Sequence, residues 1–219
     1  ISLAARASTF DQTTPEERQH PCGNNFIGAS STRRFPQASA AAEPSALATS
    51  DKGAIDLYDT EDLTWSAFRK ATNSESQAGD KLGSSVGVST SSIIGGAPDR
   101  PGGDDTGAVY TFPPDGVRSP ATLFVAPGGD PGDHFGDSVT CASDGWPMLV
   151  GARGYEDDEG AVYIYSGPDD AAPVVVQPPD SPVDHVEFGY SVAYASGKFV
   201  VGARELGDDK IGAAFLYTL

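Results

Sequence analysis

An all-β chain built from four tandem copies of one small antiparallel sheet is the fold class this sequence predicts, on three observations. A Gly-Ala motif followed by an apolar run recurs every 52–54 residues, two further motifs keep the same order and step, and short apolar runs separated by turn residues extend along the chain.

The first motif reads Gly53-Ala54-Ile55-Asp56-Leu57-Tyr58, Gly107-Ala108-Val109-Tyr110-Thr111-Phe112, Gly160-Ala161-Val162-Tyr163-Ile164-Tyr165 and Gly212-Ala213-Ala214-Phe215-Leu216-Tyr217. The second is Leu82-Gly83-Ser84-Ser85-Val86, Phe135-Gly136-Asp137-Ser138-Val139 and Phe188-Gly189-Tyr190-Ser191-Val192. Between them falls Ile94-Gly95-Gly96-Ala97, Val150-Gly151-Ala152 or Val201-Gly202-Ala203. Chance does not produce three motifs in constant order at one period. The repeats run over residues 1–78, 79–131, 132–184 and 185–219. In the first, Ile1–Ser8 aligns with Tyr190–Ser196 as its first strand and Phe26-Ile27-Gly28-Ala29 supplies the middle motif. Its extra length is expected in loop insertions at 9–24 and 30–52, the first holding about one helical turn capped by Thr14, Pro15 and Glu17, the second an alanine-, serine- and proline-rich flexible arm over 36–50.

Each copy carries four apolar runs; in the third they are Ser138–Ala142, Met148–Ala152, Ala161–Tyr165 and Val174–Gln177. Both parities of Ala161–Tyr165 are apolar, so that strand is expected to be covered on both faces, as in a stack of sheets. Small residues at Gly151, Ala152, Gly160 and Ala161 let backbones approach closely.

Composition bounds the function. A chain of 219 residues with 38% hydrophobic residues can bury one core, and 26 glycines with 17 prolines suit many tight turns. The net charge of −17, from 14 basic and 31 acidic residues, repels a phosphate backbone and excludes nucleic acid as a partner. Two cysteines, Cys22 and Cys141, allow at most one disulfide and fall two repeats apart. No stretch approaches the length of an apolar membrane span. Because the sequence opens at Ile1, it is expected to be a processed or excised piece.

The order Phe-Gly-x-Ser-Val, Val-Gly-Ala, Gly-Ala-Val-Tyr resembles the FG-GAP repeat of integrin α-subunit β-propellers. That resemblance implies propeller blades of four strands each, the three motifs marking strands 1, 2 and 3, in an arc completed by further repeats or by another chain. It also implies a secretory route, extracellular or at the cell surface, and ligand binding on the loop face formed by the strand 2–3 and strand 4–1 connections. The family's calcium loop between strands 1 and 2 is not carried over, because the matching loops Ser89–Ser92, Ser143–Pro147 and Ser196–Lys198 hold one acidic residue, Asp144.

Acidic residues recur instead in the strand 2–3 loops, with Asp104 and Asp105, then Asp157 and Asp158, then Asp208 and Asp209 as the candidate binding residues; Asp99, Glu156, Glu159 and Glu205 extend them. The strand 4–1 loops add Asp80, Asp130, Asp133, Asp180, Asp184 and Glu187, giving one strongly negative rim suited to a basic partner. Arg33, Arg34 and Phe35 in the enlarged first-repeat loop are a second candidate surface. His134 and His185 each follow an aspartate just before Phe-Gly, but no third ligand has metal-site spacing, so no metal or cofactor is assigned. No nucleophile stands beside a base, and no glycine loop suits phosphate. The sequence therefore reads as a non-catalytic protein-interaction or scaffold module, with a carbohydrate-binding propeller and an accessory propeller of an enzyme as alternatives.

Overall fold

The strands fall where the repeated motifs are. The computed structural model describes residues 6–7, 37–40, 53–58, 67–71, 77–100, 105–113, 121–179, 185–206 and 211–219. Sheet I comprises β2 (Gln37–Ala40), β3 (Ile55–Tyr58) and β4 (Ala67–Ala71). Sheet II comprises β5 (Ser85–Val88), β6 (Ile93–Ala97), β7 (Ala108–Phe112) and β8 (Thr122–Phe124). Sheet III repeats that order with β9 (Phe135–Cys141), β10 (Met148–Ala152), β11 (Ala161–Tyr165) and β12 (Val174–Val176). In sheet IV, β13 (Phe188–Ala195), β14 (Lys198–Ala203) and β15 (Ala213–Thr218) are joined by β1 (Arg6–Ala7). Every pairing is antiparallel between sequence neighbours except that of β1 with β15.

Two first-repeat expectations are corrected. Arg6–Ala7 is the outer strand of sheet IV, not the first strand of sheet I: Arg6 pairs with Leu216 and Ala7 with Phe215. That is the register in which Val174 and Val175 meet Ile164 and Tyr163 in sheet III. Gln37–Ala40, expected within a flexible arm, pairs with Tyr58–Ile55 as a strand. Backbone pairing explains both, since an open strand edge is satisfied by any chain that can extend beside it, whatever its side chains. The expected helical turn at Thr14 and the motif at Phe26–Ala29 lie outside the described residues.

Sheets pack face to face in chain order, β2 against β5, β5 and β6 against β9, and β9 and β10 against β13. Between II and III lie Ile94, Val109, Phe124, Phe135, Val139, Met148, Val150 and Tyr163; between III and IV lie Leu149, Val162, Ile164, Phe188, Val192, Phe199, Val201 and Phe215. Sheet III is thus covered on both sides, and all of Ala161–Tyr165 is buried. Phe135 meets Tyr163 edge-on at 5.2 Å, and Phe188 meets Phe215 at 5.6 Å.

The glycines of the motifs are where consecutive sheets touch. Gly53, Gly107 and Gly160 form parallel bridges with Leu82, Phe135 and Phe188 of the following sheet. A Cβ at any of them would overlap that residue's backbone. In return, a Cβ on Gly83 or Gly136 would fall 2.6 or 2.5 Å from the carbonyl oxygen of Ala54 or Ala108, and one on Gly189 would strike that of Ala161. Gly96 and Gly151 leave room for the carbonyls of Gly136 and Gly189, which also accept hydrogen bonds of 2.7 Å from the hydroxyls of Ser85 and Ser138. The Phe135 and Phe188 N–H groups donate across the same seam to Thr106 and Glu159 carbonyls at 3.0 and 2.9 Å. The motif glycines named here are therefore parts of joints between consecutive sheets.

Gly160 and Gly128 both have positive φ, at 84° and 70°, but only Gly160 is crowded; nothing lies within 4 Å of a Cβ on Gly128. Gly128→Ala is expected to cost about 1 kcal/mol through φ alone, and Gly160→Ala roughly 3 kcal/mol or more because the sheets must separate. Urea unfolding of the two variants measures the difference; equal losses would show that the seam tolerates a methyl group.

Candidate functional site

Left-handed backbone shapes the acidic loop of sheet III. Glu156, Asp157 and Asp158 have φ of 49°, 58° and 67°, closed by a 2.9 Å hydrogen bond from Gly160 N–H to the Tyr155 carbonyl. Aspartate tolerates this region better than most residues with a Cβ. Asp105, at the equivalent place in sheet II, has φ of 54°. Both donate structure before charge: the Asp105 and Asp158 carbonyls accept the N–H groups of His134 and Glu187, each at 2.8 Å.

The Glu156–Asp158 turn borders an open cleft of about 470 Å³ that it shares with the Gly128–Asp133 loop leading into sheet III and with His185. Asp130, Asp133, Glu156, Asp157 and Asp158 line it. The Asp133 carboxylate is buried and accepts the Asp130 N–H at 2.9 Å; burial holds its pKa above the ordinary value despite that bond. His185 Nδ1 lies 3.1 Å from Asp158 Oδ2, an exposed pair. Exposure leaves that pair little net worth. Of the residues singled out in the sequence, Asp157 and Asp158 line the cleft, and Asp105 sits in the neighbouring loop at the II/III seam. Asp104, Asp208 and Asp209 lie outside the described residues, as do Arg33, Arg34 and Phe35.

Not all rim acids are free. Asp99 pairs with Lys81, and His134 Nδ1 lies 3.8 Å from its other oxygen. At the next seam the carboxylate is Glu187, held by Arg204 through Nε at 2.7 Å and Nη2 at 2.8 Å, with Arg153 Nη1 at 3.8 Å. Arg153 also bonds Asp137 at 2.6 Å, while Arg204 lies over the Tyr190 ring at 4.9 Å. Lys81, His134 and Glu187 are frame equivalents, each immediately before Leu-Gly or Phe-Gly and each with φ near 50°. The position before Phe-Gly thus carries a basic side chain at one seam and a carboxylate at the next. His134 and His185 are not equivalents, because Glu187 holds the His134 position. Aligning the residue before Phe-Gly with the arginine after Val-Gly-Ala would have shown these partners from sequence.

This geometry makes the repeated motif a sheet-to-sheet joint, and the family comparison falls on one such joint. The chain carries an FG-GAP repeat. The family model described as FG-GAP repeat matches residues 121–165, which hold β8 of sheet II and β9–β11 of sheet III. Among curated proteins, none matches the chain. The matched FG-GAP unit is offset by one strand from the sheet, so it contains both sides of the II/III seam. Tyr165, at its end, donates its hydroxyl to the Val125 carbonyl at 3.1 Å across that seam, and burial pushes its pKa up.

At the other end of the II/III seam, hairpin tips are tied without acidic side chains. Thr90 N–H and Oγ1 donate to the Ser143 carbonyl at 2.9 and 3.0 Å, and Ser91 Oγ donates to that of Asp144 at 2.6 Å. Trp146, partly buried, packs on Phe124 at 6.0 Å at the edge of the core between sheets II and III. Among the described residues, no group of three or more His, Cys, Asp or Glu could hold a metal ion. Cys141, partly buried, is a free thiol whose pKa burial pushes to about 11.

Two outcomes follow from these environments. Glu187→Gln removes the charge shared by Arg153 and Arg204 and is expected to cost roughly 1–3 kcal/mol, whereas Asp169→Asn, fully on the surface, changes stability negligibly; thermal melts compare them. With its folded pKa raised, Cys141 favours the native state below about 9, and that advantage fades as pH rises through about 11. At pH 8, alkylation at Cys141, followed by peptide mass spectrometry, is expected to run at least roughly tenfold slower than for a small free thiol.

Proposed function

We propose that this chain is a non-catalytic interaction module, an arc of β-propeller blades that presents an acidic cleft to a basic segment of another protein. The FG-GAP repeat supports a protein-interaction role. The observation that carries the finer reading is the cleft itself, lined by Asp130, Asp133, Glu156, Asp157 and Asp158. A net charge of −17 reinforces it by steering cations toward the surface. FG-GAP repeats are typical of extracellular and surface proteins, and we place the module on the secretory route. No helix among the described residues is long and apolar enough to cross a membrane.

A labelled deca-lysine peptide tests the cleft. Binding at low salt is expected to weaken roughly tenfold in Asp157→Asn/Asp158→Asn and to change little in Asp144→Asn/Asp169→Asn, which removes the same charge elsewhere. Equal weakening by both doubles would reduce the effect to net charge and sink the cleft as a docking site. Titration by fluorescence anisotropy at two ionic strengths measures it.

A further inference from the structure

The geometry points to the Asp130–Pro131 peptide bond as a site of self-cleavage in mildly acidic solution, with the Asp130 carboxylate as nucleophile and Asp133 as the group that activates the bond. This goes beyond the binding reading, since it concerns the backbone of the cleft and not its charge. An aspartate before proline has what such a step needs. Its carboxylate can close a five-membered ring on its own carbonyl carbon, and the bond under attack is a tertiary amide whose nitrogen carries no hydrogen.

Two contacts from Asp133 fall on Asp130. The Asp133 N–H donates to the Asp130 carbonyl, the one under attack, at 3.2 Å, and Asp133 Oδ2 accepts the Asp130 N–H at 2.9 Å. Asp133 is 4% exposed and is fixed by the Gly154 N–H on its own carbonyl at 3.1 Å. Asp130 and Pro131 are exposed and border the open cleft, so water reaches them. The turn itself asks for neither residue. In the equivalent turn before sheet II, Asp80 makes both contacts with Gln77, at 3.3 and 2.7 Å, and Ala78 stands in the place of the proline.

The Asp130 carboxylate attacks its carbonyl carbon, and the Asp133 N–H holds the charge that develops on the carbonyl oxygen. The carbon–nitrogen bond breaks, its electron pair stays on the Pro131 nitrogen, and that nitrogen takes the proton of the Asp133 carboxyl group. Water then opens the cyclic anhydride, leaving a new carboxyl terminus at Asp130 and returning a proton to Asp133. Asp133 faces Asp130 and His134 on its own loop and Tyr155, Glu156 and Tyr163 of sheet III. Burial raises its pKa, and the Asp130 and Glu156 carboxylates add to the rise against the Asp130 N–H and His134. The acid form therefore persists to higher pH than in an ordinary aspartate.

The chain held at about pH 5.5 and followed by intact mass is expected to yield fragments 1–130 and 131–219 at least roughly tenfold faster than the same chain in about 8 M urea, where the Asp133 contacts are lost. Asp130→Glu keeps the charge but requires a six-membered ring, and should stop the reaction on this timescale. Asp133→Asn keeps the N–H and an acceptor oxygen but has no acidic proton to give. It is expected to slow cleavage at least roughly tenfold and to abolish the rise in rate as pH falls through the Asp133 titration, with near-UV circular dichroism unchanged. A native chain cut no faster than the chain in urea overturns the inference, because the bond would then show only the ordinary lability of Asp-Pro; that comparison needs no variant. An Asp133→Asn chain cut as fast as the parent overturns it too.

Discussion

At Gly107 and Gly160 the backbone of one sheet lies in the volume that a side chain of the preceding sheet would fill. That overlap of volumes sets the spacing of the sheets, and other features of the seam adjust to it. Because the chains approach so closely, the Phe135 and Phe188 amides can reach Thr106 and Glu159 carbonyls, and the Ser85 and Ser138 hydroxyls can reach Gly136 and Gly189 carbonyls. Buried polar groups at the seam are thereby paired across it, not left to water. The aromatic side chains pack beside that contact, Phe135 against Tyr163 and Phe188 against Phe215. A joint made of backbone and glycine is indifferent to the surrounding side chains, which is how sheets of different sequence can use it repeatedly.

Charge is layered on that joint and spent in two ways. Glu187 lies between arginines from both sides of its seam, and Asp99 lies between Lys81 and the His134 ring, so both add cohesion between neighbouring sheets. Asp80 and Asp133 turn inward, each accepting an N–H from three residues earlier and fixing the loop that enters the next sheet. Among the described residues, the turn at Glu156–Asp158 and Asp130 beside it line the cleft instead. Among the described residues, part of the acid count read from the sequence is therefore spent within the fold and not at the cleft beside sheet III.

The repeat, its strands and the double cover of sheet III were legible because glycine, alanine and apolar runs report directly on close approach and burial. In the third repeat, the expected Met148–Ala152 and Ala161–Tyr165 are β10 and β11 without change. The first repeat was not legible in the same way. Gln37–Ala40 has no β-branched or aromatic residue to mark a strand, and Arg6–Ala7 resembles the start of a repeat while pairing with the far end of the chain. Pairing of that kind is decided by which backbone edge is open, information that no local pattern contains. The pairing state of the acids was equally hidden, since Glu187 in sequence looks like Glu156 and only its frame position beside Phe188 distinguishes it.

The sign reversal between seams shows how such a scaffold can diversify. At II/III a loop carboxylate gathers Lys81 and His134; at III/IV a carboxylate at the His134 position gathers two arginines. Either arrangement fits because the left-handed residue before Phe-Gly is held by backbone, through the carbonyls of Asp105 and Asp158, before any charge is considered. The side chain at that place is consequently free to change, and so are the loops on either side. The charge of this face can then change by substitutions that leave the seam untouched, which is why a cleft of carboxylates can sit directly beside a joint whose geometry it does not perturb.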